Sequence, residues 1–201
     1  MLIVQPAVAQ TDNGWVLQKD KDGVKVYNKV TAGSSFKSIR AVTTFQQPLP
    51  IVVEMISNAD THHQWITRCS ESAVLRLFDR SHFVFYEYYN LPFPASNRDI
   101  VIEATINYDT LKGEVSITSK NVDNYRDKRD GTVRIPAFQG LWFLRQQQDG
   151  IIEGEYTATL DPGGTIPAWF VNMFSASGPY ESIVKLRSML QQNGKQPHSQ
   201  D

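Results

Sequence analysis

The sequence predicts an α+β fold: one long, curved antiparallel sheet covered on its concave side by two helices. Short stretches rich in Val, Ile, Phe, Tyr and Thr alternate apolar with polar residues at the two-residue period of a strand. Asp22-Gly23, Asp130-Gly131 and Asp149-Gly150 separate such stretches with the pair that supplies the positive backbone angle of tight hairpin turns. Only two segments depart from this pattern and place apolar residues three or four apart.

Strands are expected near Trp15–Gln18, Val24–Val30, Phe36–Phe45, Ser72–Phe78, His82–Tyr89, Arg98–Tyr108, Glu114–Lys120, Gly131–Pro136, Leu141–Gln147 and Ile151–Leu160. The first helix begins at Pro48, carries Ile51, Val52, Met55, Ile56 and Ala59 on one side, and ends near Trp65. The second runs from Pro167 to about Gln191, with Trp169, Met173 and Ala176, then Ile183, Leu186 and Leu190, at helical spacing. Pro179 removes a backbone donor and crowds the preceding turn, so a kink or break is expected there, leaving two halves able to move separately. From Gly194 onward the chain is polar and aperiodic, and a disordered tail is expected over 193–201.

Parity assigns the inner face. Along Arg98–Tyr108, Ile100, Ile102, Ala104 and Ile106 share one side while Glu103, Thr105 and Asn107 share the other. The same rule turns Val115, Ile117, Ile152, Gly154, Tyr156 and Ala158 inward. The small residues Ala104, Gly154 and Ala158 on these tracks either leave space or permit tight helix–sheet packing.

With 201 residues and 41% hydrophobic content, the chain suffices for one core and one domain. Lys and Arg total 20 against 21 for Asp and Glu, a balance that gives no net field for nucleic acid, and no such partner is expected. The single cysteine, Cys69, excludes an internal disulfide and a multi-cysteine zinc site, and is expected to be a buried apolar residue. Near the N-terminus, Leu2-Ile3-Val4 leads through Pro6 to Ala7-Val8-Ala9, a small-x-small spacing that signal peptidase accepts, although no basic residue precedes the short apolar run. Residues 1–13 are therefore expected to be a signal remnant or a disordered terminus. The destination is periplasmic or secreted if they are a signal, and cytoplasmic otherwise.

The segment Pro92-Phe93-Pro94-Ala95-Ser96-Asn97-Arg98-Asp99-Ile100-Val101 closely resembles the signature of START (StAR-related lipid transfer) domains, particularly the phosphatidylcholine transfer protein branch. Asp60 through Trp65 is similar to the end of that family's first long helix, and Asp161 through Asn172 to the entry to its last. Arg134, Gly140 and Trp142 are similar to its penultimate hairpin, so the resemblance covers roughly Trp15 to Leu190 within an expected domain of residues 14–192. It implies a helix-grip fold, in which the sheet grips the C-terminal helix around a tunnel that holds one lipid under a movable lid. It also implies a non-enzymatic monomer that contacts membranes transiently and needs no cofactor. In the phosphatidylcholine-binding relatives an inward arginine six residues after the signature arginine holds the lipid phosphate; here that position is Ala104. An enclosed phosphate without a cationic partner is costly, so the expected ligand is an apolar or weakly polar lipid-like molecule.

The expected ligand-binding residues are Tyr86, Glu87, Ile102, Ala104, Ile106, Ile117, Trp142, Tyr156, Trp169 and Met173. Tyr156 either meets the polar end of a ligand or bonds to backbone. Trp169 and Met173 form either a greasy wall or plain core. Glu87 interrupts an aromatic run, Phe83 to Tyr89, and faces either solvent, the favoured reading, or the cavity. Arg98 and Asp99 point to opposite faces and each anchors a loop or strand end. His62 and His63 project about 100° apart on a helix, cannot easily share an ion, and are expected to be exposed. No G-x-S-x-G elbow, Walker loop, H-E-x-x-H pair or Rossmann glycine pattern occurs, so nothing demands catalysis. The competing class is a helix-grip enzyme of the polyketide cyclase or aromatase kind, with Tyr156 or Glu87 as its acid–base group. The tract Tyr88 to Phe93 is the candidate membrane contact.

Overall fold

The computed structural model describes residues 13–30, 37–165 and 173–193. The signal and tail expectations, and the segment around Trp169, lie outside them. Among the described residues ten strands form one sheet: β1 (Val16–Lys21), β2 (Val24–Val30), β3 (Lys37–Phe45), β4 (Cys69–Asp79), β5 (His82–Tyr89), β6 (Asn97–Asp109), β7 (Glu114–Asn121), β8 (Thr132–Arg134), β9 (Ala137–Gln146) and β10 (Ile152–Asp161). Their spatial order is β1-β2-β3-β10-β9-β7-β6-β5-β4, every neighbour antiparallel, with β8 lying parallel to the start of β6.

The Asp-Gly pairs explain two of the hairpins. Asp22 (φ 53°) and Gly23 (φ 72°) turn β1 into β2, and Gly150 (φ 82°) turns β9 into β10. Asp130-Gly131 departs from the expectation. Gly131 does adopt a positive φ, but β7 has already ended at Asn121, so the pair delivers the chain to β8 and closes no hairpin.

The first helical segment is broken. The helix α1 (Leu49–Ser57) starts beside Pro48, with a proline in its first turn where no donor is needed, and buries Val52, Val53 and Ile56. Asn58 (φ −75°, ψ 83°) leaves helical space, a 3₁₀ turn spans Ala59–Thr61, and a single turn α2 (His62–Trp65) follows. Periodicity could not see this break, because Ile56, Ala59 and Trp65 stay on the buried side through it. At the C-terminal end a π-helical turn, Met173–Ser177, precedes α3 (Gly178–Asn193), so the irregularity expected near Pro179 falls immediately before it.

Parity holds along β6, β7 and β10. Ile100, Ile102, Ala104, Ile106, Val115, Ile117 and Ile152 join one core with Val52, Val53 and Ile56 of α1 and Ile183, Leu186 and Leu190 of α3. Each fully buried aliphatic side chain contributes roughly 1.5–3 kcal/mol over leaving it in water. A second apolar layer covers the opposite face of β5 and β6: Val84, Tyr86, Tyr88 and Val101 pack with Leu75 and Val122. The chain after β7 folds over it, stacking Arg126 on Tyr86 and Arg129 on Tyr88 at 3.8 and 4.2 Å from the ring centres.

Gly154 serves packing and leaves no space. A Cβ there would lie 2.6 Å from Cε2 of Phe45, a ring that is itself fully buried. Gly154→Ala is expected to destabilise the protein by about 1–3 kcal/mol through overpacking, read as a lower urea midpoint at unchanged m-value.

Helix α3 is tied down at several points. The Tyr180 hydroxyl donates to Asp22, the Ser182 hydroxyl accepts from the Thr67 amide at 2.9 Å, and Arg187 donates to the Asp22 carbonyl at 2.6 Å.

Candidate functional site

Between the concave face of the sheet and the helices lies a cavity of about 230 Å³. That far exceeds the ~10–15 Å³ a single water needs, so Ala104 and Ala158 on the inner face do leave space, whereas Gly154 does not. Its wall is mostly apolar: Phe83 and Phe85 from β5, Ile100, Ile102 and Ala104 from β6, Ile117 from β7, Trp142 from β9, Ala158 from β10, and Ile183 from α3. Ala104 sits between Phe83 and Ser119 in neighbouring strands and lines the cavity with a single methyl group.

The expected site residues divide. Glu87, Ile102, Ala104, Ile117, Trp142 and Tyr156 lie on the wall. Ile106 is buried core beyond it. Tyr86 belongs to the other face. Its side chain packs in the second apolar layer, its hydroxyl donates to Asp99 at 3.2 Å, and burial beside that carboxylate pushes its pKa up to about 12. The correction follows from strand geometry: Glu87 faces the cavity, so its neighbour cannot. Trp169 lies outside the described residues, and Met173 is described only as the start of the π turn.

Glu87 is buried, contrary to the solvent-facing reading, and so is His62, which was expected to be exposed. The two form one unit. His62 Nδ1 lies 2.7 Å from Glu87 Oε1, His62 Nε2 lies 2.9 Å from the carbonyl of Ile56, and the Tyr89 hydroxyl donates to Glu87 Oε2. Edge-on contacts of the imidazole with Trp65 and Phe85, both 5.2 Å between centres, wedge it in place. His63 is exposed as expected and meets Ser72. Tyr156 stacks at an angle on Trp142, 5.0 Å between centres. Burial first, and the nearby Glu87 second, raise the pKa of Tyr156; the same two causes in the same order raise that of Tyr89. Both phenols keep their protons. Burial and Glu87 also push the Cys69 thiol up, so it is an unreactive apolar filler.

Arg98 and Asp99 make no mutual bridge. Arg98, fully buried, donates to the carbonyls of Ser96, Pro162 and Gly163, tying the loop before β6 to the chain leaving β10. Asp99 accepts two bonds from Arg134, at 2.8 and 3.0 Å. Sequence reasoning missed His62 and Tyr89. For Tyr89 the signal was available, since it shares parity with Glu87. Among the described residues, no group of three or more metal-ligating side chains converges, and no helix is long and apolar enough to cross a membrane.

A ten-stranded sheet closing with a C-terminal helix around an apolar cavity is the helix-grip architecture. The START domain family model matches residues 3–196, and the chain belongs to that family. It is 32% identical over 174 residues to an uncharacterized protein of Pseudomonas aeruginosa, an alignment covering 87% of this chain and 85% of that one. It is 23% identical over 182 residues to human phosphatidylcholine transfer protein, covering 87% and 81%. Among solved structures, the StAR-related lipid transfer protein from Xanthomonas axonopodis superposes with a TM-score of 0.81 at 31% identity, covering 89% of this chain and 99% of that one.

Proposed function

We propose that this START domain binds a single hydrophobic, lipid-like molecule in its cavity and carries it between membranes. The observation that carries this reading is a cavity of about 230 Å³ whose wall is overwhelmingly apolar and which Ala104 and Ala158 keep from filling. At ~25 cal/mol per Å², removing a few hundred Å² of apolar ligand surface from water supplies several kcal/mol of affinity. Loading requires an encounter with a bilayer. Phe93, 95% exposed in the loop before β6, supports that loop as the contact, whereas Tyr88 and Tyr89 of the same tract are held inside the protein. The test is native mass spectrometry of the protein from its expression host, followed by denaturing extraction. A stoichiometric lipid-like adduct is expected; an empty protein that also takes up no neutral apolar probe would sink the proposal.

A second reading, an acid–base enzyme on a hydrophobic substrate, draws on Glu87 and Tyr156 both facing the cavity. It is the weaker one. Both Glu87 oxygens are already engaged by His62 and Tyr89, and Tyr156 is shifted away from neutral pH, where a general acid–base group is most useful.

A further inference from the structure

The protons in the polar wall of the cavity can be counted. A backbone carbonyl only accepts, so the His62 Nε2 that faces the Ile56 carbonyl at 2.9 Å must carry hydrogen. Between His62 Nδ1 and Glu87 Oε1, at 2.7 Å, there is room for one proton. Wherever that proton sits, imidazolium with carboxylate or imidazole with carboxylic acid, the pair carries no net charge. Glu87 Oε2 takes the Tyr89 hydroxyl in either case. Among the described residues the other charged side chain on the wall is Lys37, an exposed residue at the first position of β3. The interior therefore offers a ligand neither a net positive nor a net negative charge.

Among the described residues it offers polar groups without a hydrogen-bond partner: the Tyr156 phenol, the Ser119 hydroxyl and the buried indole N–H of Trp65. The Tyr156 phenol lies on the wall within electrostatic reach of Glu87 and Tyr89. A phenol donates one hydrogen bond and accepts others, and the Glu87 oxygens keep lone pairs beyond the two contacts described.

We propose that Tyr156, beside the neutral His62–Glu87 pair, selects lipids whose polar end is an uncharged hydroxyl. This assignment rests on the carrier reading. Such a group accepts from the Tyr156 O–H and donates to a Glu87 carboxyl oxygen, leaving neither its own hydroxyl nor the Tyr156 phenol unpaired. A carboxylate, a phosphate or a quaternary ammonium brings a full charge into an apolar cavity that holds no opposite net charge, and burying a charge without a partner is far costlier than burying a bonded hydroxyl.

The test is a set of twelve-carbon molecules that differ only at one end: dodecane, 1-dodecanol, laurate and dodecyltrimethylammonium. Each is titrated against the neutral fluorophore diphenylhexatriene bound to the full chain at pH 7.5, the two charged amphiphiles below their critical micelle concentrations and the two uncharged molecules below their aqueous solubility. Dodecanol is expected to bind roughly two- to tenfold tighter than dodecane, the range set by one net hydrogen bond, and more than tenfold tighter than either charged homologue. Tyr156→Phe is expected to abolish the preference for dodecanol over dodecane. A preference for laurate or for the ammonium, or a dodecanol advantage that survives Tyr156→Phe, would overturn the assignment and leave the carrier reading standing. Failure of every member, dodecane and fluorophore included, would remove both.

Discussion

Ala104→Phe is expected to leave the protein folded and to cut its uptake of apolar molecules at least tenfold. Ala104 is 2% exposed, points from the middle of β6 into the cavity, and sits between Phe83 and Ser119 across the sheet. A phenyl ring on that Cβ enters space that holds no protein atoms, so it gains burial without the backbone shifts that overpacking causes in a filled core. The same ring takes the volume and the apolar surface that a ligand would use. Ala104→Ile is expected to give a smaller loss in the same direction. Occupancy by native mass spectrometry and diphenylhexatriene binding read the effect, while the urea midpoint reports folding. If Ala104→Phe binds as well as the parent at an unchanged midpoint, the cavity is not where ligands go.

Asp99→Ala is expected to cost about 3–5 kcal/mol, the range seen when one partner of a buried ion pair is removed. Asp99 is 1% exposed and holds three groups: Nε and Nη2 of Arg134 and the hydroxyl of Tyr86. Its loss strands a nearly buried guanidinium and a buried phenol together. Against a typical total of 5–15 kcal/mol, that brings the protein close to unfolding at room temperature. Urea denaturation measures it, and the double variant Asp99→Ala with Arg134→Ala is expected to be more stable than Asp99→Ala alone, because the uncompensated charge is then gone. If Asp99→Ala shifts the midpoint by less than ~1 kcal/mol equivalent, the pair is solvated and the account given for this face is wrong.

The strands were legible because an alternating pattern bounded by Asp-Gly turns has few other solutions, and on β6, β7 and β10 one face is polar enough to fix the parity. Strand β5 resists the same treatment. Phe83, Phe85 and Glu87 face the cavity while Val84, Tyr86 and Tyr88 face a second apolar layer roofed by the chain after β7, so both of its tracks read as buried. That is why Tyr86 was placed in the site and Glu87 was favoured for solvent. His62 was misplaced for a different reason. Its burial is stabilised by a carboxylate 25 residues away and by a carbonyl on the far side of the break at Asn58, contacts that no local pattern announces. Small residues on the inward tracks left two readings open, space or tight packing, and the structure divides them: Ala104 and Ala158 border the cavity while Gly154 packs against Phe45.

The contacts that hold α3 have a consequence for how the chain is made. Asp22 lies in the first hairpin, yet it meets Tyr180 and Arg187, 158 and 165 residues later, and β3 finds its second neighbour only when β10 arrives. Synthesis at about 5–20 residues per second therefore leaves the apolar concave surface uncovered for several seconds before the last helix emerges. Such long-range closure places folding in the slow, milliseconds-to-seconds regime of sheet-dominated topologies. An apolar molecule present during that window meets a concave face that α3 has yet to cover.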